Sequence, residues 1–236
     1  MRPWKILCDF DGTISIPDAT DELLERCADA EWKIIEREWR DGAIGSGECM
    51  ARQVALLNAT APEVDGVLDN IPIDPDFPRF VALVFDLGVE LIIVSDGFDR
   101  AIHRILDNHG LGDLPVVANR LVQVNSRRWK MDSPHAADNC RVLAGTCKCA
   151  CASKAKADSH NILLIGDGQS DVCLADRADF VFAKTRLLEY CRGANVAHRP
   201  VHDFSDAITL LPDLLEGRLT TRFAPEPSSL RPIEYV

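Results

Sequence analysis

The sequence predicts an α/β fold: a parallel sheet with helices on both faces and a small helical insertion after the first strand. Three observations carry this. Short apolar runs bounded by Gly, Asp or Ser recur along the chain, helical spacing separates them in the second half, and one early stretch is helical throughout.

The apolar runs at residues 6–8, 91–94, 116–118, 162–165 and 180–183 are short and unalternated, as strands buried on both faces are. Between them, residues 77–87, 101–109, 171–178 and 187–192 place apolar side chains at helical intervals, and alternation of this kind predicts parallel strands with crossover helices. From residue 20 to about 70 the pattern changes. Leu23, Leu24 and Cys27, then Trp32, Ile35 and Trp39, then Met50, Val54 and Leu57 fall on helical faces with no strand among them. Trp32 and Trp39 are expected in the core, given the area an aromatic buries. Residues 119–131 alternate around Asn125, Ser126 and Arg127, which predicts an antiparallel hairpin on the third strand. The tail from Thr221 contains Pro225, Pro227 and Pro232 and is expected to be extended or docked. The expected division is a core of residues 1–15 and 75–220, a helical cap of 16–74, and a Pro-rich tail of 221–236.

With 47% hydrophobic and 27% charged residues the chain is ordinary for a globular protein, and its net charge of −11 argues against a nucleic-acid partner. The longest apolar runs are too short for a bilayer span, and Met1 to Lys5 have no signal-peptide design, so a cytoplasmic location and no membrane partner are expected. Nine cysteines under that expectation are read as reduced thiols. A homodimer is compatible with the sequence, in which the Pro-rich tail is a candidate docking segment.

Candidate chemistry sits at the ends of the apolar runs. Asp9 and Asp11 follow the first run, and the two-residue period of a strand puts their carboxylates on one side with Phe10 opposite. Ligands bind at the carboxyl ends of such strands. A second acidic pair, Asp167 and Asp171, follows residues 162–165. Several carboxylates in one crevice repel one another unless a cation lies among them, and an all-oxygen donor set suits a hard ion such as Mg2+. Ser95, leading through Asp96 and Gly97 into a helix, offers a hydroxyl and backbone amides to a phosphate. Lys148 supplies positive charge. Lys154 and Lys156 also precede the last motif, but starting a helix at Lys148 leaves room for two turns before residue 162.

In order along the chain, Asp9-Phe-Asp11-Gly-Thr, Val94-Ser95, a lone Lys and Gly166-Asp167-Gly-Gln-Ser-Asp171 resemble the four motifs of the haloacid dehalogenase superfamily of phosphatases. The resemblance implies a Rossmann-like core and a two-step hydrolysis of a small phosphorylated metabolite. In that scheme Asp9 attacks phosphorus to give an aspartyl-phosphate, and Asp11 protonates the leaving oxygen and then activates water. It also implies that the Asp9 and Asp167 carboxylates and the Asp11 backbone carbonyl bind Mg2+ with Asp171 in support, and that Ser95, Asp96, Gly97 and Lys148 hold the phosphate.

The insertion after the first motif resembles the cap of the phosphoserine-phosphatase-like branch. The Cys before Lys148, the Phe182-Ala183-Lys184 segment, and the late His198, Pro200 and Phe204 resemble methionine-salvage phosphatases acting on 2-hydroxy-3-keto-5-methylthiopentenyl-1-phosphate. Two departures stand out. Asp96 replaces the first glycine of a common Ser-Gly-Gly, and Asp18 falls where phosphoserine phosphatases tend to carry Glu, so Asp18 is expected to face the substrate. Phosphoserine, phosphoethanolamine and phosphocholine remain alternative substrates, and a phosphoryl transferase or a non-catalytic phospholigand module are the rival functions. Cys140, Cys147, Cys149 and Cys151 lack familiar zinc spacing, so free thiols are favoured over a soft-metal site.

Overall fold

The computed structural model describes residues 2–219. The Pro-rich tail lies outside the described residues. Among them, strands β1 (Trp4–Cys8), β2 (Glu90–Phe98), β3 (Val116–Gln123), β4 (Trp129–Asp132), β5 (Asn161–Gly166), β6 (Phe180–Ala183) and β7 (His198–Pro200) form one sheet in the order β4-β3-β2-β1-β5-β6-β7. Every neighbouring pair is parallel except β3 and β4, whose antiparallel register, Leu121 opposite Met131, is the expected hairpin. The chain steps from β1 to β2 and β3 on one side and resumes at β5 on the other, so the order reverses beside β1, where ligand crevices form in open α/β sheets.

Two-residue alternation explains why the sheet is covered twice. Ile6 and Cys8 of β1 and Leu163 and Ile165 of β5 enter one core, while Leu7, Ile162 and Leu164 enter another. The first core receives α5 (Phe77–Asp86), α6 (Asp99–Asn108) and α10 (Phe204–Leu215), with Phe77 and Phe204 ring to ring at 4.8 Å. The second receives Ala152 and Ala155 of α7 (Lys148–Ala157), Leu174 of α8 (Val172–Ala175) and Leu187 of α9 (Thr185–Ala194).

Between β1 and α5 lie four helices: α1 (Ala19–Cys27), α2 (Trp32–Arg40), α3 (Ser46–Ala55) and α4 (Ala61–Leu68). Asp18 caps α1 by accepting from the Asp21 amide, and Thr60 with Glu63 forms a capping box that starts α4. The segments entering and leaving this insertion run side by side, the Ile16 amide donating to the Pro72 carbonyl and the Asp74 amide to the Ile14 carbonyl. The rear of the insertion is fastened to the rest. Arg100 and Arg104 of α6 bond Asp65 and Asp69 through two nitrogens each, and on the hairpin side Trp129 Nε1 donates to the Ala59 carbonyl at 2.8 Å.

One local expectation needs correction. The helix expected over 171–178 is a 3-10 turn at Gln169–Asp171 followed by the single turn α8, because the Asp171 carboxylate folds back to accept from the Asp167 and Gly168 amides. Strand β7 and helix α10 had no strong signal: β7 has three residues, and α10 contains Pro212.

Candidate active site

Strands β1, β2 and β5 deliver Asp9, Ser95 and Asp167 to a single crevice of about 350 Å³, to which Asp11, Asp18 and Gly97 also contribute. At its floor the Lys148 ammonium lies 2.8 Å from Asp9 Oδ2 and 2.7 Å from Asp171 Oδ1, and donates to Ser170 Oγ at 3.2 Å. Lys148 is the first residue of α7, as the spacing before residue 162 predicts. Lys154 and Lys156, further along the helix, are exposed, and Lys156 pairs with Asp179.

Asp9 is oriented from both sides: Oδ1 accepts from the Phe10 amide at 2.8 Å while Oδ2 meets Lys148. Burial, then repulsion from Asp171, pushes the Asp9 carboxyl well above the usual range, against the pull of Lys148. Burial also works against the charge on Lys148, but Asp171 and Asp9 outweigh it and hold the ammonium more firmly than in water. Asp167 is raised by burial and by Asp171.

Oxygens of Asp9, Asp167 and Asp171 come within 4.8 Å of one another, and this is the metal-capable group found among the described residues. Three carboxylates facing one lysine leave an excess of negative charge, which a hard divalent cation would balance with the oxygen donors it prefers. The residues present therefore fit Mg2+. Asp171, expected in support, brings its carboxylate as close as the other two.

Asp11 turns away from that group. Its Oδ1 accepts from the Ala19 amide at the start of α1 at 2.9 Å, and burial pushes it up to about 6 although the Ala19 hydrogen bond opposes the shift. A Cβ on Gly97 would lie 2.4 Å from Asp11 Oδ2 and 3.0 Å from Ser95 Oγ, so a glycine keeps open the space between these two groups. The Gly97 amide donates to Ser95 Oγ at 2.9 Å.

The Asp96 carboxylate, expected at the phosphate, is engaged within the protein. Its oxygens accept from Ser46 Oγ, Asn119 Nδ2 and the Thr146 amide. Asp18 lines the crevice as expected and is at the same time the cap of α1. Of the two tryptophans expected in the core, Trp32 is buried, while Trp39 is half-buried and lines the crevice with Met50, Cys49 and Gln53.

Other contributors were not singled out. Thr13 donates to Asp167 Oδ1, and Lys184 reaches the Thr13 carbonyl at 3.1 Å. Both lie in motif segments that could have flagged them. Glu36, Arg40 and Arg186 reach the crevice from α2 and α9, and no linear pattern marks them. Cys140, Cys147, Cys149 and Cys173 pack in a small cluster beside α7 with the other cysteines also free, and Cys151 lies outside it.

A doubly covered parallel sheet with an acid pair at the end of β1, a hydroxyl at β2, a buried lysine and a second acid pair at β5 defines a phosphoryl-handling hydrolase site. The chain belongs to the haloacid dehalogenase-like hydrolase family, whose model matches residues 6–176, and it is a phosphatase. It is 30% identical over 207 residues to a 2-hydroxy-3-keto-5-methylthiopentenyl-1-phosphate phosphatase of Geobacillus thermodenitrificans (strain NG80-2), covering 86% of this chain and 93% of the relative. A phosphatase of the same name from Bacillus velezensis (strain DSM 23117 / BGSC 10A6 / LMG 26770 / FZB42) is 29% identical, with 86% and 88% covered. Among solved structures, a phospho-aspartyl intermediate analogue of phosphoserine phosphatase superposes with a TM-score of 0.68 at 22% identity, covering 89% of this chain and 99% of that one, a likeness of fold.

Proposed function

We propose that the protein is a Mg2+-dependent phosphomonoesterase that works through an aspartyl-phosphate on Asp9, and that its substrate is 2-hydroxy-3-keto-5-methylthiopentenyl-1-phosphate. The observation that carries the chemistry is the buried Lys148 ammonium held between Asp9 and Asp171 beside Asp167. Pure binding of a phosphate would be hindered by so many carboxylates, whereas a nucleophile needs one of them oriented and the others neutralised.

The roles follow from position. The Phe10 amide and Lys148 fix one Asp9 oxygen each, which aims the carboxylate at phosphorus for attack. Lys148 and Ser95 hold the phosphoryl oxygens and stabilise the charge that grows on them. Asp11, raised to about 6 and so close to neutrality, can pass a proton to the leaving oxygen and, once ionised, take one from the water that cleaves the aspartyl-phosphate. Asp9, Asp167 and Asp171, with the Asp11 backbone carbonyl, would hold Mg2+, which when bound neutralises the charge shared by the carboxylates and the phosphate.

In this reading residues 16–74 form a cap over a core of 1–15 and 75–220, and its helices α1 to α3 supply the substrate wall. Trp39, Cys49 and Met50 offer an apolar, sulfur-tolerant surface to a methylthio chain, and the names of the two relatives support that choice. A second reading is favoured by Asp18, Asp21 and Glu36 on the same wall: esters carrying a cation, phosphoethanolamine or phosphocholine. Phosphate release from a panel of these three compounds and phosphoserine, with Mg2+ and Asp9→Asn as control, decides. Preference for the methylthio ester supports the first reading, and phosphate release that requires an added alcohol would make the protein a transferase.

A further inference from the structure

Asp96 is a carboxylate placed next to a phosphate site, where its charge is unfavourable, and its surroundings show what it does. It is 8% exposed. Oδ1 accepts from the Thr146 amide at 2.9 Å and from Asn119 Nδ2 at 3.1 Å, Oδ2 accepts from Ser46 Oγ at 2.8 Å, and its backbone carbonyl accepts from Asn119 Nδ2 at 2.6 Å. Hydrogen bonds to an ionised acceptor are about twice as strong as neutral ones, and these are withdrawn from water. Asn119, fully buried at the end of the β2–β3 pairing, directs its amide to Asp96 twice.

Two of these partners, Thr146 and Ser46, belong to segments that meet the crevice, as does the residue before Asp96. Ser95 directly precedes Asp96. Thr146 lies two residues before Lys148, in the turn that sets the start of α7. Ser46 opens α3, which carries Cys49, Met50 and Gln53 on the substrate wall. The same turn meets α3 a second time, the Gly47 amide donating to the Leu143 carbonyl at 3.0 Å. A Cβ on Gly47 would lie 2.9 Å from that carbonyl oxygen, so the approach depends on glycine.

We propose that Asp96 is a positioning residue that holds the Ser95 loop, the Lys148 turn and the α3 wall in one register. The proposal rests on the reading of Asp9, Ser95 and Lys148 as the phosphoryl site. It places the helical insertion under the control of the same carboxylate that sets the phosphate cradle, so substrate wall and reaction floor are not independent.

The test combines amide hydrogen exchange at Thr146 with steady-state hydrolysis of p-nitrophenyl phosphate in Mg2+, for wild type, Asp96→Ala, Asp96→Asn and Ser46→Ala. Asp96→Ala is expected to speed Thr146 exchange at least tenfold and to lower kcat by about 10- to 100-fold, since a displacement near 1 Å at a reacting group costs about that much, with a smaller change in KM. Asp96→Asn keeps an acceptor for the Thr146 amide, while the Ser46 hydroxyl can turn to accept from the new amide, so most of the protection and of kcat returns. Ser46→Ala, which loosens only the α3 wall, raises KM for the methylthio ester more than it lowers kcat and leaves p-nitrophenyl phosphate turnover near wild type. Wild-type exchange and kcat in Asp96→Ala overturn the proposal, and so does an Asp96→Asn enzyme as impaired as Asp96→Ala, because the effect would then be one of charge. If Asp96→Ala does not fold, Asn119→Ala is read by the same two measures. No turnover by wild type would sink the phosphatase reading, and the exchange comparison would still decide on Asp96.

Discussion

The floor and the wall of the crevice are built on different principles. The floor is the ends of β1 and β5 with the first turn of α7, where Asp9, Lys148 and Asp171 are 6% exposed or less at their side chains and bonded to one another. The wall is α1 to α3, where an exposed Arg40 pairs with a half-buried Glu36 and Trp39 and Met50 are half-buried. A dry, mutually paired floor resists substitution and fixes the reaction. A wetter wall of weakly coupled side chains can change without unfolding the protein, which is how one reaction is adapted to many substrates.

The largest expected effect is on the floor. Asp9→Asn removes the proposed nucleophile and should lower kcat by about 1000-fold or more while the fold, read by circular dichroism, is kept. Activity near wild type would end the aspartyl-phosphate reading.

Lys148→Ala comes next. It leaves Asp9 and Asp171 buried without their cation, a change that costs about 3–5 kcal/mol of stability for a buried pair, measurable by urea denaturation in chelator. A loss below about 1 kcal/mol, the scale of surface ion pairs, would mean that the floor is more hydrated than its geometry indicates.

A third expectation concerns pH. The Asp11 carboxyl at about 6 lies above its ordinary 3.8, so the folded state holds its proton more tightly than the unfolded chain does. Its contribution to stability is fully present below that ordinary value and is lost as pH rises through about 6, amounting to at most about 3 kcal/mol at 1.4 kcal/mol per unit. Asp9 and Asp167 shift in the same direction. Metal-free protein should therefore lose stability between about pH 4 and 6, less so in Asp11→Asn, and Mg2+ should reduce the loss while releasing protons measurable by calorimetry in buffers of different ionisation enthalpy.

The smallest effects belong to the wall. Trp39→Ala and Met50→Ala should raise KM about 3- to 30-fold for a methylthio ester, with smaller changes in kcat and almost none for p-nitrophenyl phosphate. Equal losses for both substrates would show that the wall takes part in the reaction and would erase the contrast with the floor.

How much of this was legible follows the same line. Apolar runs that stop before Asp9, Ser95 and Asp167 announce themselves because a strand buried on both faces must be apolar, and a polar residue after the run stands out, although β2 continues through Ser95 to Phe98. The hairpin over β3 and β4 was readable from alternation, and the start of α7 at Lys148 from the length needed before β5. The short strand β7 was not, since three residues cannot establish a period. Trp39 was read as core because helical spacing shows which residues share a face, not what the face meets.

By itself the sequence determined the sheet, the helical insertion and the residues able to carry the reaction, because those depend on local periodicity and on residue chemistry at strand ends. The tertiary structure decided which acids converge, with Asp171 drawn in beside Asp9 and Asp167 and Asp11 turned to the Ala19 amide. It also decided that Asp96 bonds Ser46, Asn119 and Thr146, each 23 to 50 residues away along the chain. A carboxylate takes its role from the donors around it, and those donors come from segments that only folding brings together.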